Sequence, residues 1–409
     1  MAKKEKGEHH EYSPLQLLMD WLFIMYDFKR DVVKEKISFK QTSEKEFREL
    51  NDSSLNTISM IREIASRKKC SAQEVARVLM SDFNPGNHDP LREYFDKIGK
   101  KKPKGAIDKL AAIVTTTNQD MFVRYLKKWF VASVANYFTP AGCQNQMCLT
   151  LVGGQGLGKT TLFNHFLPKD LMEYMFTGNL DLDDKGTTFK LSEYFIINVE
   201  EQLKGLYAKD ANKLKTLITL PNVKGRKPYG RLEASSKRIG NFLASLNDDD
   251  FIADATGSRR FPSFRVTHIN LLKLKVINID DVWAEALHLF RSGSFEYWVT
   301  KLDQVELENS NKEFINVTYE HEQVIQFLSV PTETEPVTHQ VPASILRDYI
   351  SAETNNKSIS NINVGKALKQ LGFTNKKIRL PFMGNIPTNC WNVHLNTAGG
   401  NATLNKYAV

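Results

Sequence analysis

The run GGQGLGKTT at residues 153–161 carries the clearest chemistry in the chain. It fits G-x-x-x-x-G-K-[ST] through Gly153, Gly158, Lys159 and Thr160. The strand-length apolar run MCLTLV precedes it and TTLFNHFL, with helical spacing, follows it. That strand-loop-helix context separates a phosphate-holding loop from a chance glycine-rich turn. Gly153, Gly154, Gly156 and Gly158 let successive backbone N–H groups turn inward onto phosphate oxygens. The helix that starts there adds the positive end of its dipole. Gln155, Leu157 and Thr161 complete the expected nucleotide-contacting loop. Lys159 is expected to reach the β and γ phosphates, and the Thr160 hydroxyl to ligate Mg²⁺.

Nucleotide hydrolysis also needs a carboxylate at the end of a neighbouring strand. YFIINVEE supplies it: Tyr194–Val199 reads as a strand, with Glu200 and Glu201 at its carboxyl end, where parallel sheets bind ligands. Adjacent strand residues face opposite ways, so the two roles are open. The preferred assignment gives Glu200 the metal and Glu201 the attacking water. RIGNFLASLND reads as a further strand that ends at Asn247, placed to touch the γ-phosphate and the water. In DATGSRRF, Arg259 and Arg260 stand in a loop, where an arginine could stabilise transition-state charge in a neighbouring subunit's site. Between the acidic strand and Asn247 lies a basic run holding Lys213, Lys215, Lys224, Arg226, Lys227, Arg231, Lys237 and Arg238 against one acid, Glu233. PYG marks a turn inside it. A basic hairpin with an aromatic tip suits a nucleic-acid backbone, with Tyr229 free to stack on a base.

These residues must be positioned by a folded scaffold, and the chain is long enough to build one. It has 409 residues, 41% hydrophobic and 25% charged, which is ordinary for a globular protein. The net charge of +8 permits a nucleic-acid partner without requiring one. Cys70, Cys143, Cys148 and Cys390 form no CxxC pair and no zinc spacing, so they read as reduced thiols. No stretch reaches the ~20 apolar residues of a membrane span, and the charged leader lacks a cleavage site, which makes the cytoplasm the default.

Residues 14–105 read as helical, with Ser13 as N-cap before Pro14 and a Ser71/Glu74 capping box. The basic segment KIGKKKPKG is the first candidate boundary. GAIDKLAAIVTTT and QDMFVRYLKKWFVASVANYF read as two helices. From Met147 onward, strands alternating with helices argue for a mostly parallel sheet. DDVWAEALHLFRSG is an amphipathic helix ended by Gly293, and the Pro- and Thr-rich VPTETEPVTHQVP marks a second boundary. Beyond it the order is helix, helix, strand, strand, that of a small winged helix with Lys366, Lys369, Lys376, Lys377 and Arg379 on a basic face. The expected domains are 1–105, helical; 106–300, a P-loop α/β core; and 320–409, winged-helix-like.

GGQGLGKTTLFNHFLP, YFIINVEE, the LKTLI…RKPYGR run, SLND and TGSRRF, in this order, resemble the virulence-associated protein E family of phages, plasmids and genomic islands. That family is similar to superfamily 3 helicases and to the helicase half of phage primase-helicases. The resemblance implies an AAA+-like ATPase that takes ATP and Mg²⁺, forms a hexameric ring and moves along DNA. Carried over by position, Gly158, Lys159 and Thr160 match Walker A and Glu200 and Glu201 match Walker B. The run Lys213 to Arg231 matches the region whose hairpin contacts DNA, including Lys215, Lys224, Arg226, Lys227, Tyr229 and Arg231. Asn247 matches the motif C polar residue, and Arg259 or Arg260 the arginine finger. The sensor strand ends Leu246-Asn247 where the family often has Thr-Asn, and no primase signature or zinc cluster lies upstream, so priming falls to a separate protein. The expectation is an ATP-driven DNA helicase or translocase in the replication of a mobile element. The alternative is a regulatory or loader ATPase, in replication or phage defence, without autonomous unwinding.

Overall fold

A computed structural model describes residues 12–81, 86–140, 143–184, 186–200, 208–225, 233–247, 258–314, 319–381, 384–396 and 404–409. Helix α1 (Pro14–Met25) opens as its sequence dictates: the Ser13 side chain accepts from the Gln16 backbone N–H, and Pro14 takes the first helical position. Then come β1 (Tyr26–Asp31), β2 (Ile37–Gln41), β3 (Arg48–Glu49), α2 (Asp52–Ser66), α3 (Ala72–Leu79), β4 (Asn87–His88) and α4 (Pro90–Ile98). The capping box of Ser71 and Glu74 is present at the start of α3.

The expectation of a purely helical 1–105 fails here. The four strands form a sheet of order β3-β2-β1-β4. The reason is visible in YDFKRD and ISFKQ, whose apolar residues alternate with polar ones, the period of a half-buried strand. Tyr26, Phe28, Ile37 and Phe39 go inward, and Phe28 pairs directly with Phe39, ring centroids 6.3 Å apart. Leu18, Leu22, Ile58, Val75 and Leu79 close that core from the helical side.

The chain continues through α5 (Ala106–Ala111), β5 (Val114–Thr116), α6 (Gln119–Phe138), β6 (Cys148–Val152), α7 (Lys159–Asn164), β7 (Met175–Thr177), α8 (Thr187–Glu193) and β8 (Ile196–Asn198). After it come α9 (Ala208–Thr219), β9 (Asn222–Gly225), β10 (Ala234–Lys237), β11 (Asn241–Leu246), β12 (Ser263–Ile269), α10 (Leu271–Leu274) and α11 (Ile279–Ser292). GAIDKLAAIVTTT, expected as one helix, splits into α5 and β5. Ile113 to Thr117 are five β-branched residues in a row, which favours a strand over a helix end.

The central sheet has the order β5-β12-β6-β11-β8-β7. All its pairings are parallel except β5 with β12. β6 and β11 are buried at every position, as central strands covered on both faces must be. Helix α6 lies buried along most of its length, and its Trp129 indole donates to the Phe242 carbonyl of β11 at 2.9 Å. Trp283 of α11 donates to the Phe166 carbonyl at 2.7 Å, and Phe130 packs edge-on against it. The architecture is mixed α/β, built around a mostly parallel sheet.

The chain divides into two compact units; the first takes in the described residues 12–200, 209–247 and 259–304, and the second takes in 305–409. The second begins within α12 (Lys301–Ser310) and continues with α13 (Tyr319–Phe327), β13 (Leu328–Ser329), β14 (His339–Pro342), α14 (Ala343–Thr354), α15 (Asn361–Gln370), β15 (Asn375–Arg379) and β16 (Pro387–Leu395). β16 is the shared strand: β13, β14 and β15 all pair with it antiparallel. The Pro- and Thr-rich segment joins β13 to β14 inside this unit.

One buried ion pair holds α6 to residues at the end of the first unit. Lys128 Nζ donates to Asp303 Oδ2 at 2.7 Å and to the Trp298 carbonyl at 2.9 Å. Burial alone would push the Asp303 carboxyl up, but bonds from Lys128 and from Thr300 outweigh it and hold it below the usual carboxylate range. Lys128→Met leaves Asp303 buried without its cation and should cost about 3–5 kcal/mol at pH 7. The wild-type pair contributes above the ordinary carboxylate pKa and is lost as pH falls through the lower folded value. The penalty of the variant should therefore shrink in acid. Urea unfolding of both proteins at pH 7 and near pH 3.5 checks this.

Candidate functional site

The carboxyl ends of β6, β11, β8 and β7 open on one side of the sheet, where parallel strands present their ligand-binding loops. The loop after β6 is pinned at its start. Gly153 N–H donates to the Leu246 carbonyl at 3.1 Å, and a Cβ at 153 would stand 2.5 Å from the Val266 carbonyl of β12. Only glycine fits between those two strands. Gly156 and Gly158 adopt φ of +82° and +89°, the left-handed region that other residues avoid. The chain turns sharply there and enters α7 at Lys159.

Lys159 is 6% exposed. Its ammonium donates to the carbonyls of Gly153 at 2.7 Å and Gly154 at 2.9 Å, and to Asn247 Oδ1 at 3.0 Å. The lysine after the glycine loop and the asparagine at the end of β11 are thus in direct contact. Gln155, Gly156, Gly158, Lys159, Thr160, Thr161, Glu200 and Asn247 all line one cleft of about 780 Å³. Gly153, Gly154 and Leu157 shape the loop behind it.

Glu200 follows β8 at the carboxyl end, as expected. Asn198 Nδ2 donates to Glu200 Oε1 at 3.4 Å, while Asn198 Oδ1 is buried without a hydrogen-bond partner. Glu201 lies outside the described residues. Gly178, Asn179, Ser245 and Leu271 also line the cleft, and the sequence reading missed them. A signal existed for two of them: Gly178-Asn179 is a polar pair directly after the short strand β7. Leu271 presses on the loop, since a Cβ at Gly158 would meet its side chain at 2.8 Å.

Arg259 and Arg260 stand elsewhere. They precede β12, whose Ser263 pairs with Thr150 of β6, so they lie at the amino ends of the central strands. They line a separate cavity of about 400 Å³ with Gln144, Met147, Tyr297 and Trp298. Arg259 Nη1 donates to Gln304 Oε1 at 2.8 Å. Arg260 is half-buried and its Nε has no hydrogen-bond partner. Burial, and then the neighbouring Arg259, lowers its pKa. β6 spans five residues, so the cavity and the cleft are separated by the height of the sheet, about 16 Å at ~3.3 Å per residue. The arginines therefore do not reach the cleft of their own chain.

The basic run divides as well. β9 and β10 pair antiparallel as the base of a hairpin, and Lys224 is exposed on it. Arg226, Lys227, Tyr229 and Arg231 fall outside the described residues. Lys215 corrects the expectation of an outward cation: it is 8% exposed on α9, beside buried Leu214. Arg238 is fully buried and pushed down to about 9 by that burial, with its Nη1 directed at the Cys143 sulfur. Lys237 is half-buried and donates to the Tyr137 carbonyl. A run counted as basic is thus partly interior.

Among the described residues, no group of three His, Cys, Asp or Glu side chains could hold a metal, and no helix is long and apolar enough to cross a membrane.

Residues 100–316 match the virulence-associated protein E-like domain, more than half of the chain. The chain belongs to the virulence-associated protein E-like family. The matched span takes in the cleft, the hairpin base and the two arginines. No curated protein matches the chain. Among solved structures, the chain is similar to the apo form of the NrS-1 C-terminal region, at 16% identity and a TM-score of 0.48, covering 94% of this chain and 100% of that one. A second structure of that region, its A form, gives 15% identity, a TM-score of 0.45 and coverage of 93% and 99%.

Proposed function

We propose that this virulence-associated protein E-like chain is a P-loop ATPase that works on DNA as a helicase or translocase, in the replication of a phage or other mobile element. The observation that carries the reading is one cleft lined by the glycine-rich loop, Lys159, Thr160, Glu200 and Asn247 at the carboxyl ends of parallel strands. A triphosphate is the ligand that uses all of them. The loop N–H groups and Lys159 would take β and γ phosphate oxygens. Lys159 would exchange its present carbonyl partners for phosphate.

Mg²⁺ fits the oxygen donors at hand, the Thr160 hydroxyl and the Glu200 carboxylate, and when bound it supplies charge neutralisation for the phosphates. Glu201 is the candidate to orient the attacking water and accept its proton, with Asn247 as the polar sensor beside the γ-phosphate. In the reaction, the water oxygen bonds to the terminal phosphorus as the β–γ bridging bond breaks. ADP leaves with the electron pair of that bond, and the carboxylate passes the proton to solvent.

The arginines at the far end of the sheet support an assembly in which one subunit's arginine serves the next subunit's cleft. A homo-hexameric ring with DNA in its channel is the form this reading takes. The hairpin on β9 and β10 would face the DNA with Lys224, Arg226, Lys227, Tyr229 and Arg231. The second unit is read as winged-helix-like, from the order of α14, α15, β15 and β16.

The deciding experiment is steady-state ATP hydrolysis with Mg²⁺, with and without single-stranded DNA. DNA is expected to stimulate the rate severalfold. A rate indifferent to DNA, or absent until another protein is added, overturns the autonomous motor and favours a loader or regulatory ATPase.

A further inference from the structure

Of the cysteines Cys70, Cys143, Cys148 and Cys390, three sit where a thiolate is disfavoured. Burial pushes the Cys148 thiol up to about 12 and raises the Cys390 thiol as well. Cys70 is half-buried, and burial and then the Glu74 carboxylate raise it. Cys143 has different surroundings. It is partly exposed and lines the cavity of about 400 Å³ that also holds Arg259 and Arg260. Among the described residues, no carboxylate lines that cavity.

Arg238 reaches Cys143 from the interior. This arginine is fully buried between β10 and β11. Its Nη1 is directed at Cys143 Sγ, and its guanidinium stands 5.7 Å from the Phe242 ring centroid. Its Nε and Nη2 have no hydrogen-bond partner among the described residues. Burial lowers its pKa, and no described carboxylate offsets that burial. A buried cation without a counter-ion is among the most costly groups a fold can hold. The Cys143 sulfur is the atom in reach that can carry the opposite charge.

Two carbonyls compete for that sulfur. Sγ lies 3.1 Å from the Asn145 oxygen and 3.4 Å from the Ile218 oxygen. A protonated thiol could donate to one of them. Its S–H is a weak donor, however, and its sulfur is a weak acceptor for the guanidinium. A thiolate gives up one weak bond and pairs the buried charge. The pairing wins, because a charge-assisted hydrogen bond is roughly twice as strong as a neutral one and an unpaired buried ion costs more still.

We propose that Cys143 is held as a thiolate and is a site of reversible modification by small anionic disulfides. The Cys143 sulfur attacks one sulfur of such a disulfide as its S–S bond breaks. The other sulfur leaves with the electron pair as a thiolate, so Cys143 is oxidised to a mixed disulfide and the departing half is reduced. Arg259 and Arg260 stand in the same cavity to meet the negative charge of the attached half, and Arg260 Nε has no hydrogen-bond partner. Tyr297 and Trp298 border the cavity with ring centroids 5.3 Å apart, and Trp298 is 53% exposed. An aromatic disulfide therefore has a ring to pack on. The attached half would occupy the two arginines proposed to serve a neighbouring cleft, so any loss of hydrolysis on modification rests on that reading.

The test is the reaction of the full chain with dithiobis-nitrobenzoate, a dianionic aromatic disulfide, over about pH 5.5 to 9.5. Peptide mass spectrometry follows each cysteine, with Cys143→Ser as the blank. The Cys143 rate is expected to level off with a midpoint about one unit or more below the ~8.5 of free cysteine, while the Cys70 rate goes on rising. Arg238→Met removes the cation and leaves no buried charge, so the midpoint should return to about 8.5 or above. Arg238→Lys keeps a cation and should keep the midpoint low. Should Arg238→Met not fold, the thiolate ultraviolet absorbance of the wild type, less that of Cys143→Ser, gives the midpoint without altering Arg238. Dicationic cystamine is the charge control. With each rate divided by that of free cysteine and the same probe, Cys143 should favour the dianion about tenfold. A wild-type midpoint at or above about 8.5, an unshifted midpoint in folded Arg238→Met, or no preference for the dianion overturns the proposal. Rapid modification of Cys143 that leaves ATP hydrolysis unchanged would support this site and count against arginines that act in a neighbour's cleft.

Discussion

Lys159→Ala should lower ATP hydrolysis by about 10²–10³-fold, the usual loss when one preorganised donor to a developing charge is removed. The geometry makes the effect specific. Lys159 touches both the loop after β6 and the end of β11, through Gly153, Gly154 and Asn247. With phosphate present, the same ammonium can follow the negative charge without leaving the cleft. Its stability cost should be small, because Asn247 lines the open cleft and Gly154 is exposed, so the oxygens freed there can be hydrated. An unfolding temperature within a few degrees of wild type would show that the fold survives. Lys159→Arg should fail nearly as badly. A planar, forked guanidinium does not fit where a compact ammonium is held by three acceptors that close in from different directions. A variant that keeps more than about a tenth of the wild-type rate would remove Lys159 from the reacting phosphate.

How much of this was legible in advance depends on what each pattern encodes. The loop was readable because its residue types are dictated locally: Gly156 and Gly158 carry the left-handed φ, and the strand and helix around them are contiguous in sequence. The helix α6 was readable to its ends, from Gln119 to Phe138, since its apolar residues recur at helical spacing up to the stop at Pro140. The sheet order was not readable. Nothing local says that β11 inserts between β6 and β8, and that insertion is what brings Asn247 to Lys159. The N-terminal strands were missed because the dense apolar helix before them masked the short alternation of Tyr26 and Phe28. Lys215 and Arg238 were misplaced for another reason. Composition counts a charge but does not tell which face of α9, or which end of β11, will bury it.

Replacing Arg259 and Arg260 together by alanine should reduce hydrolysis about 10³-fold or more, the scale of an arginine that meets transition-state charge. It should leave nucleotide affinity close to wild type. The two residues sit at the amino ends of strands whose carboxyl ends hold the cleft, so the effect cannot be exerted within one chain. That separation yields a sharper experiment than either variant alone. The Lys159→Ala chain keeps its arginines and loses its cleft. The double arginine variant keeps its cleft and loses the arginines. Each is expected to be inactive by itself. When the two are mixed and allowed to exchange subunits, some junctions will join an intact cleft to intact arginines, and hydrolysis should return in part. Full activity in the double arginine variant would take these residues out of the reaction. Inactivity of both chains with no recovery on mixing, under conditions where labelled subunits are seen to exchange, would mean that the arginines hold the fold or their own cavity together. Partial recovery would instead make the cleft a site that two copies of the chain complete.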